Sequence, residues 1–244
     1  MYSITASALL EAWERGLGQQ PIERALTLLA AAYPETPVEA LARLSIGQRD
    51  AHLLSLREWL FGPTLVSLVN CPNCGERLEL NFNVAEIRVP VADKSPDSMS
   101  LIVAGYEVQF RHPNSLDLNA VTRCQDVESG RKLLLERCLL RAATNDLTKT
   151  VDELPQEVIE SLVERMAEAD PQADVQLALS CPQCGHGWRA AFDILSFFWS
   201  EINVWASRIL REVHALASAY GWREADILMM TPWRRQMYLE MISG

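Results

Sequence analysis

The residues best suited to chemistry are four cysteines in two matching turns, CPNCG at Cys71–Gly75 and CPQCG at Cys181–Gly185. Each turn offers two sulfurs, and a structural zinc ion takes four ligands in a tetrahedron. Cys71, Cys74, Cys181 and Cys184 are therefore the expected metal ligands. The glycine after each second cysteine permits the tight reversal that aims backbone N–H groups at the sulfurs. The match runs on past the turns: CPNCGERLELNFNVAEI and CPQCGHGWRAAFDILSF both place a phenylalanine eleven residues after the first cysteine, at Phe82 and Phe192. Two half-sites with equivalent strand exits are expected.

Other thiol chemistries fit the flanks less well. A redox dithiol belongs at a helix N-terminus within a βαβ unit, whereas Val175, Leu177 and Leu179 alternate before Cys181 and Leu78 to Phe82 reads as extended. Disulfides are the other alternative; no secretory signal is read ahead of the turns, so a reducing, cytoplasmic setting is expected. Cys124 and Cys138 lack a CxxC partner and read as small apolar residues of helices. His186 could replace a sulfur, but four cysteines already fill a tetrahedral site.

Compact zinc ribbons separate their pairs by roughly 15 to 20 residues, but 106 residues lie between Cys74 and Cys181. A subdomain must be inserted between the halves. Closing a loop of that length costs about 4 kcal/mol, while a structural zinc contributes about 10 to 16 kcal/mol. The metal would clamp distant parts of the chain and leave no position open for a catalytic water.

The flanking elements follow from punctuation and periodicity. Residues 1–68 read as a helical module: Ile22, Ala25, Leu26 and Leu29 share one face behind Pro21, and Thr36-Pro37-Val38-Glu39 and Ser45-Ile46-Gly47-Gln48 fit the capping box. The second box opens a helix that Gly62-Pro63 stops. Residues 69–91 and 172–196 are the ribbon halves. The insert, 92–171, opens with a polar loop from Ala92 to Ser100 and a hairpin around Ala104-Gly105-Tyr106, whose partner strands are expected from the knuckle arms. Helical patterns then run through Leu116 to Val121, through Leu133 to Ala142, and from Pro155 through Val158, Ile159, Leu162 and Met166 to Pro171.

The last module, 197–244, carries a helix whose stripe of Phe198, Ile202, Trp205, Ile209, Val213 and Leu216 reads as core, ending at Gly221. A short helix restarts at Thr231-Pro232. Aromatic, methionine and arginine residues are enriched at protein interfaces, so Trp222, Trp233, Arg234, Arg235 and Tyr238 are the expected partner-binding residues; folding back onto the long helix is the rival reading. The fold class is mixed α/β, mainly helical, with a zinc-ribbon core interrupted by an α/β insert and flanked by N- and C-terminal helical modules.

Composition narrows the function. The formal net charge of −10, from 32 acidic and 22 basic residues, opposes general nucleic-acid binding, which needs clustered Lys and Arg. A zinc-ribbon nucleic-acid or transcription adaptor is the alternative reading. No apolar run approaches the roughly 20 residues that cross a bilayer. The four histidines, at 52, 112, 186 and 214, sit in no catalytic motif, and no glycine loop cradles phosphate. Neither an enzyme nor a small-molecule substrate is expected.

The order of four segments carries a resemblance: WERGLGQQPIERALTLLAAAYP, LREWLFGPTLVSLVNCPNCGERLEL, DVQLALSCPQCGHGWRAAFDILSFFWSEI and YGWREADILMMTPWRRQMYLEMI. The chain resembles the small baseplate proteins, including baseplate hub assembly chaperones, of T-even-type contractile-tailed phages and related contractile injection systems. The resemblance implies a non-enzymatic assembly factor or minor baseplate component that binds baseplate or hub proteins. It further implies a location in the cytoplasm during assembly and then in the particle if the protein is retained.

Overall fold

Capping residues and glycines set most of the helix boundaries in the computed structural model, which describes residues 4–89, 98–145 and 147–243. Two compact units result: one joins the residues up to Pro37 with those from Ile194 onward, and the other spans Val38–Asp193. Residues 1–68, read from the sequence as one module, thus divide at Pro37. The first two helices find their apolar partner in the distant long helix, which no local pattern announces.

In the first unit, α1 (Ala6–Gly16) and α2 (Pro21–Ala32) pack with α9 (Ile194–Tyr220), and α10 (Glu224–Met229) and α11 (Pro232–Ser243) follow the left-handed Gly221. Leu10, Ala206, Ile209, Val213, Leu216, Ile227 and Leu228 form its core. The Trp13 indole N–H donates to Asn203 Oδ1 at 2.7 Å. Gly16 lies where any Cβ would collide with the Trp199 ring, and the Arg24 guanidinium covers that ring at 4.8 Å.

The second unit begins with α3 (Val38–Ala42) and α4 (Ile46–Phe61). Ser45 Oγ accepts from the Gln48 N–H at 3.1 Å while Gln48 Oε1 accepts from the Ser45 N–H at 3.0 Å, the reciprocal cap expected from the sequence. Two hairpins carry the knuckles: β1 (Thr64–Asn70) with β2 (Arg77–Asn83), and β7 (Gln176–Ser180) with β8 (Gly187–Ala191). The helix α5 (Val84–Ile87) follows β2.

Between the hairpins, β3 (Met99–Val103), β4 (Tyr106–Phe110), β5 (Leu139–Thr144) and β6 (Leu147–Thr148) form a four-stranded antiparallel sheet, with α6 (Ser115–Val121), α7 (Val127–Cys138) and α8 (Gln156–Ala169). Val108, Phe110, Leu135, Ala142, Val158 and Leu162 belong to its core. Two sequence expectations change here. The hairpin β3–β4 pairs with β5 rather than with the knuckle arms, and the helix expected to reach Ala142 ends at Cys138. The Leu-rich run satisfies either periodicity, and pairing with β4 decides it. Residues 92–97 of the expected polar loop lie outside the described residues.

Two buried polar junctions brace this unit. Asp117, its side chain 1% exposed, accepts from Arg111 Nη1 at 2.6 Å, Arg137 Nε at 2.8 Å and the Asn114 N–H at 3.0 Å. Burial alone would raise its pKa, but the bonds from Arg111, Arg137 and Asn114 hold the carboxyl below the usual carboxylate range. Gln172, in the 3-10 turn Pro171–Ala173, accepts the Val89 N–H at 2.7 Å and donates to Ile87 O at 3.4 Å.

Candidate metal centre

The two knuckles have the same backbone. Gly75 donates to Cys71 O and Gly185 to Cys181 O, both at 2.9 Å; Cys71 donates to Glu76 O at 2.8 Å and Cys181 to His186 O at 2.9 Å. Gly75 and Gly185 sit at φ 77° and 72°, a conformation that a side chain would strain. Each turn is held in its hairpin by the flanking strands, β1 and β2 for the first and β7 and β8 for the second.

These turns bring four sulfurs together. Cys71 Sγ lies 3.7 Å from Cys184 Sγ and Cys74 Sγ lies 3.6 Å from Cys181 Sγ, and all four ligand atoms fall within 4.8 Å of one another. A tetrahedron of sulfurs about 2.3 Å from a central ion has edges of about 3.8 Å, so the cluster could hold a metal ion. All six cysteines are free thiols; the closest cross-knuckle sulfurs are far beyond the roughly 2.05 Å of a disulfide.

The thiols perturb one another. The Asn73 amide, 3.6 Å away on the opposite knuckle, and the His186 backbone N–H pull the Cys184 thiol down to about 6. The Glu76 backbone N–H acts in the same sense on Cys74, but desolvation and hydrogen bonds among the thiols outweigh it and leave Cys74 raised to about 12. Cys71 and Cys181 are buried, whereas Cys74 and Cys184 face solvent.

The equivalence predicted from the sequence extends to the strand exits. Phe82 and Phe192 meet edge to face, with ring centroids 5.5 Å apart. The two hairpins nevertheless remain separate sheets, β2 paired with β1 and β7 with β8. Sulfurs and phenylalanines make the junction instead of a shared ladder. His186 stacks on Trp188 at 6.1 Å and is not one of the clustered ligands. Cys138 is fully buried, as expected, and Cys124 is partly exposed.

The expected partner-binding residues separate into two groups. Trp233 is 73% exposed, and Arg234 is exposed with its guanidinium 5.7 Å from the Tyr238 ring. Arg235 is buried; it donates to Glu212 Oε2 at 3.1 Å and to Met230 O at 2.6 Å, so it fastens α11 to α9 and is not presented to a partner. Trp222 and Tyr238 are half-buried, 4.8 Å apart edge to face, and Tyr220 stacks on Trp222 at 4.4 Å. Arg234 and Arg235 are neighbours in sequence but opposite in burial, which composition does not reveal.

The geometry defines a scaffold in which two repeated turns converge on a four-sulfur centre, and no described helix is long and apolar enough to cross a membrane. The chain belongs to the T4 bacteriophage base plate protein family, whose model matches residues 7–199. That span includes both knuckles and ends early in α9. Neither the curated proteins nor the solved structures give a match.

Proposed function

We propose that this protein is a non-enzymatic assembly factor or minor component of a contractile-tail baseplate. In this reading it carries one structural zinc on Cys71, Cys74, Cys181 and Cys184, and it docks neighbouring baseplate or hub proteins through the C-terminal segment. The observation that carries the metal reading is the four-sulfur cluster, two of whose edges, at 3.6 and 3.7 Å, suit tetrahedral zinc. A closed set of four thiolates leaves no open position for a catalytic water, which favours a binding role. Family membership favours baseplate proteins as partners. Trp233 and Arg234 are the docking anchors; Tyr238 lies beneath Arg234 and packs on Trp222. The protein acts in the cytoplasm during assembly, in a phage tail or a related injection system.

The test joins metal analysis to binding. Purified chain should contain about one zinc per molecule, and Trp233→Ala or Arg234→Ala should weaken capture of a neighbouring baseplate or hub protein by about 2 kcal/mol while zinc content and helicity hold. Fully folded protein with four free thiols and no metal overturns the zinc reading. Tight DNA or RNA binding at physiological salt favours the nucleic-acid adaptor instead.

A further inference from the structure

On α11 one apolar stripe lies outside the core, with half-buried Met237 between two exposed side chains. Trp233, Met237 and Met241 recur every four residues and so share one face of the helix. Trp233 is 73% and Met241 66% exposed. Arg234 and Glu240 flank this stripe on opposite sides, about 9 Å apart along the axis. Tyr238 and Leu239 pack into the core of their own unit. A helix that leaves an aromatic and methionine stripe outside is suited to an apolar groove.

The Val38–Asp193 unit has such a groove. A cavity of about 290 Å³ lies among α7, α8 and the start of α4, walled by Ile46, Pro113, Leu134, Val163, Met166 and Ala167. Its lips carry opposite charges: Arg131 from α7 and Asp174 just past the turn after α8, both exposed. Asp170, also lining the groove, is buried and already accepts the Gly47 N–H at 2.9 Å. The walls therefore offer apolar contact and few polar groups to orient a small molecule.

We infer that α11 of one molecule seats in this groove of a second copy, with Trp233 and Met237 entering the cavity, Arg234 beside Asp174 and Glu240 beside Arg131. The flanking charges of the helix complement the lips of the groove, and this favours the chain's own groove as the receptor. The inference rests on the reading of α11 as a docking helix and names its partner. Plug and groove are different surfaces, so the contact is head-to-tail, and each seated copy leaves one free plug and one free groove.

Sedimentation of the full chain at rising concentration tests this. Wild type should grow past the dimer. Trp233→Ala and Val163→Glu, both surface changes, should each remain monomeric with unchanged circular dichroism and metal content. Mixed in equal amounts, they should form a one-to-one complex, because Val163→Glu still supplies a plug and Trp233→Ala still supplies a groove. A monomeric wild type at every concentration, or a mixture that stays monomeric, overturns the inference. If wild type is monomeric but Trp233→Ala loses a different baseplate protein, the docking-helix reading stands and the second copy alone is refuted.

Discussion

Gln172 touches none of the four sulfurs, yet its replacement should weaken the metal site. The side chain is 2% exposed and ties the chain leaving the first knuckle, at Val89 and Ile87, to the turn that leads into the second. Val89 lies fifteen residues after Cys74, and Gln172 nine before Cys181. With that tie in place, the ring that the proposed metal would close holds about 24 residues rather than 106, and the logarithmic closure cost falls by about 1.3 kcal/mol. That is about ninefold in affinity. Gln172→Ala removes both bonds and strands the Val89 N–H, at a further cost of about 1–3 kcal/mol in fold stability. Because the same turn also packs against α4, ninefold is the ceiling. Zinc competition against a chromophoric chelator, with urea unfolding in parallel, should show one zinc per chain bound up to about ninefold more weakly. An unchanged affinity in a variant that has lost stability would refute the tether.

Cys74→Ser and Cys184→Ser should each abolish stoichiometric zinc and reduce the yield of folded protein, measured by metal analysis and circular dichroism, because structural metal binding and folding are coupled. Asp117 is held below its unfolded pKa of about 3.9, so its contribution is complete above that value and disappears as pH falls through the folded pKa. Asp117→Asn should cost about 1.5–3 kcal/mol near neutrality and flatten the acid limb of the stability profile; an unaltered limb would count against the ion-pair account. Gly16→Ala should lower stability by about 1–3 kcal/mol through overpacking against Trp199, seen as a reduced urea midpoint.

Features encoded within a few residues were legible from the sequence. The CPxCG turns, the Ser45 cap, the Gly62 and Gly221 stops and the hairpin at Gly105 each depend on local backbone chemistry, and they stand where the residues put them. Phe82 and Phe192 stand at equivalent positions in the two half-sites, as the sequence shows; that their rings meet is seen only in the fold. What sequence reasoning missed depends on partners far along the chain. The strand β5 lies in a leucine run that favours helix until β4 pairs with it. The junction of the knuckles through sulfurs and rings, and the capture of Arg235 by Glu212, likewise have no signature in a local window.

Joining residues up to Pro37 with those from Ile194 onward also orders the events of synthesis. Helices α1 and α2 leave the ribosome before α9 and can pack on each other, but Leu10, Trp13 and Gly16 meet their partners on α9 only after the whole Val38–Asp193 unit has been made. The Val38–Asp193 unit, with all four clustered cysteines inside it, can close in the interval. During that interval the faces of α1 and α2 that α9 will cover stay open, and transiently exposed apolar surface of this kind is prone to aggregation.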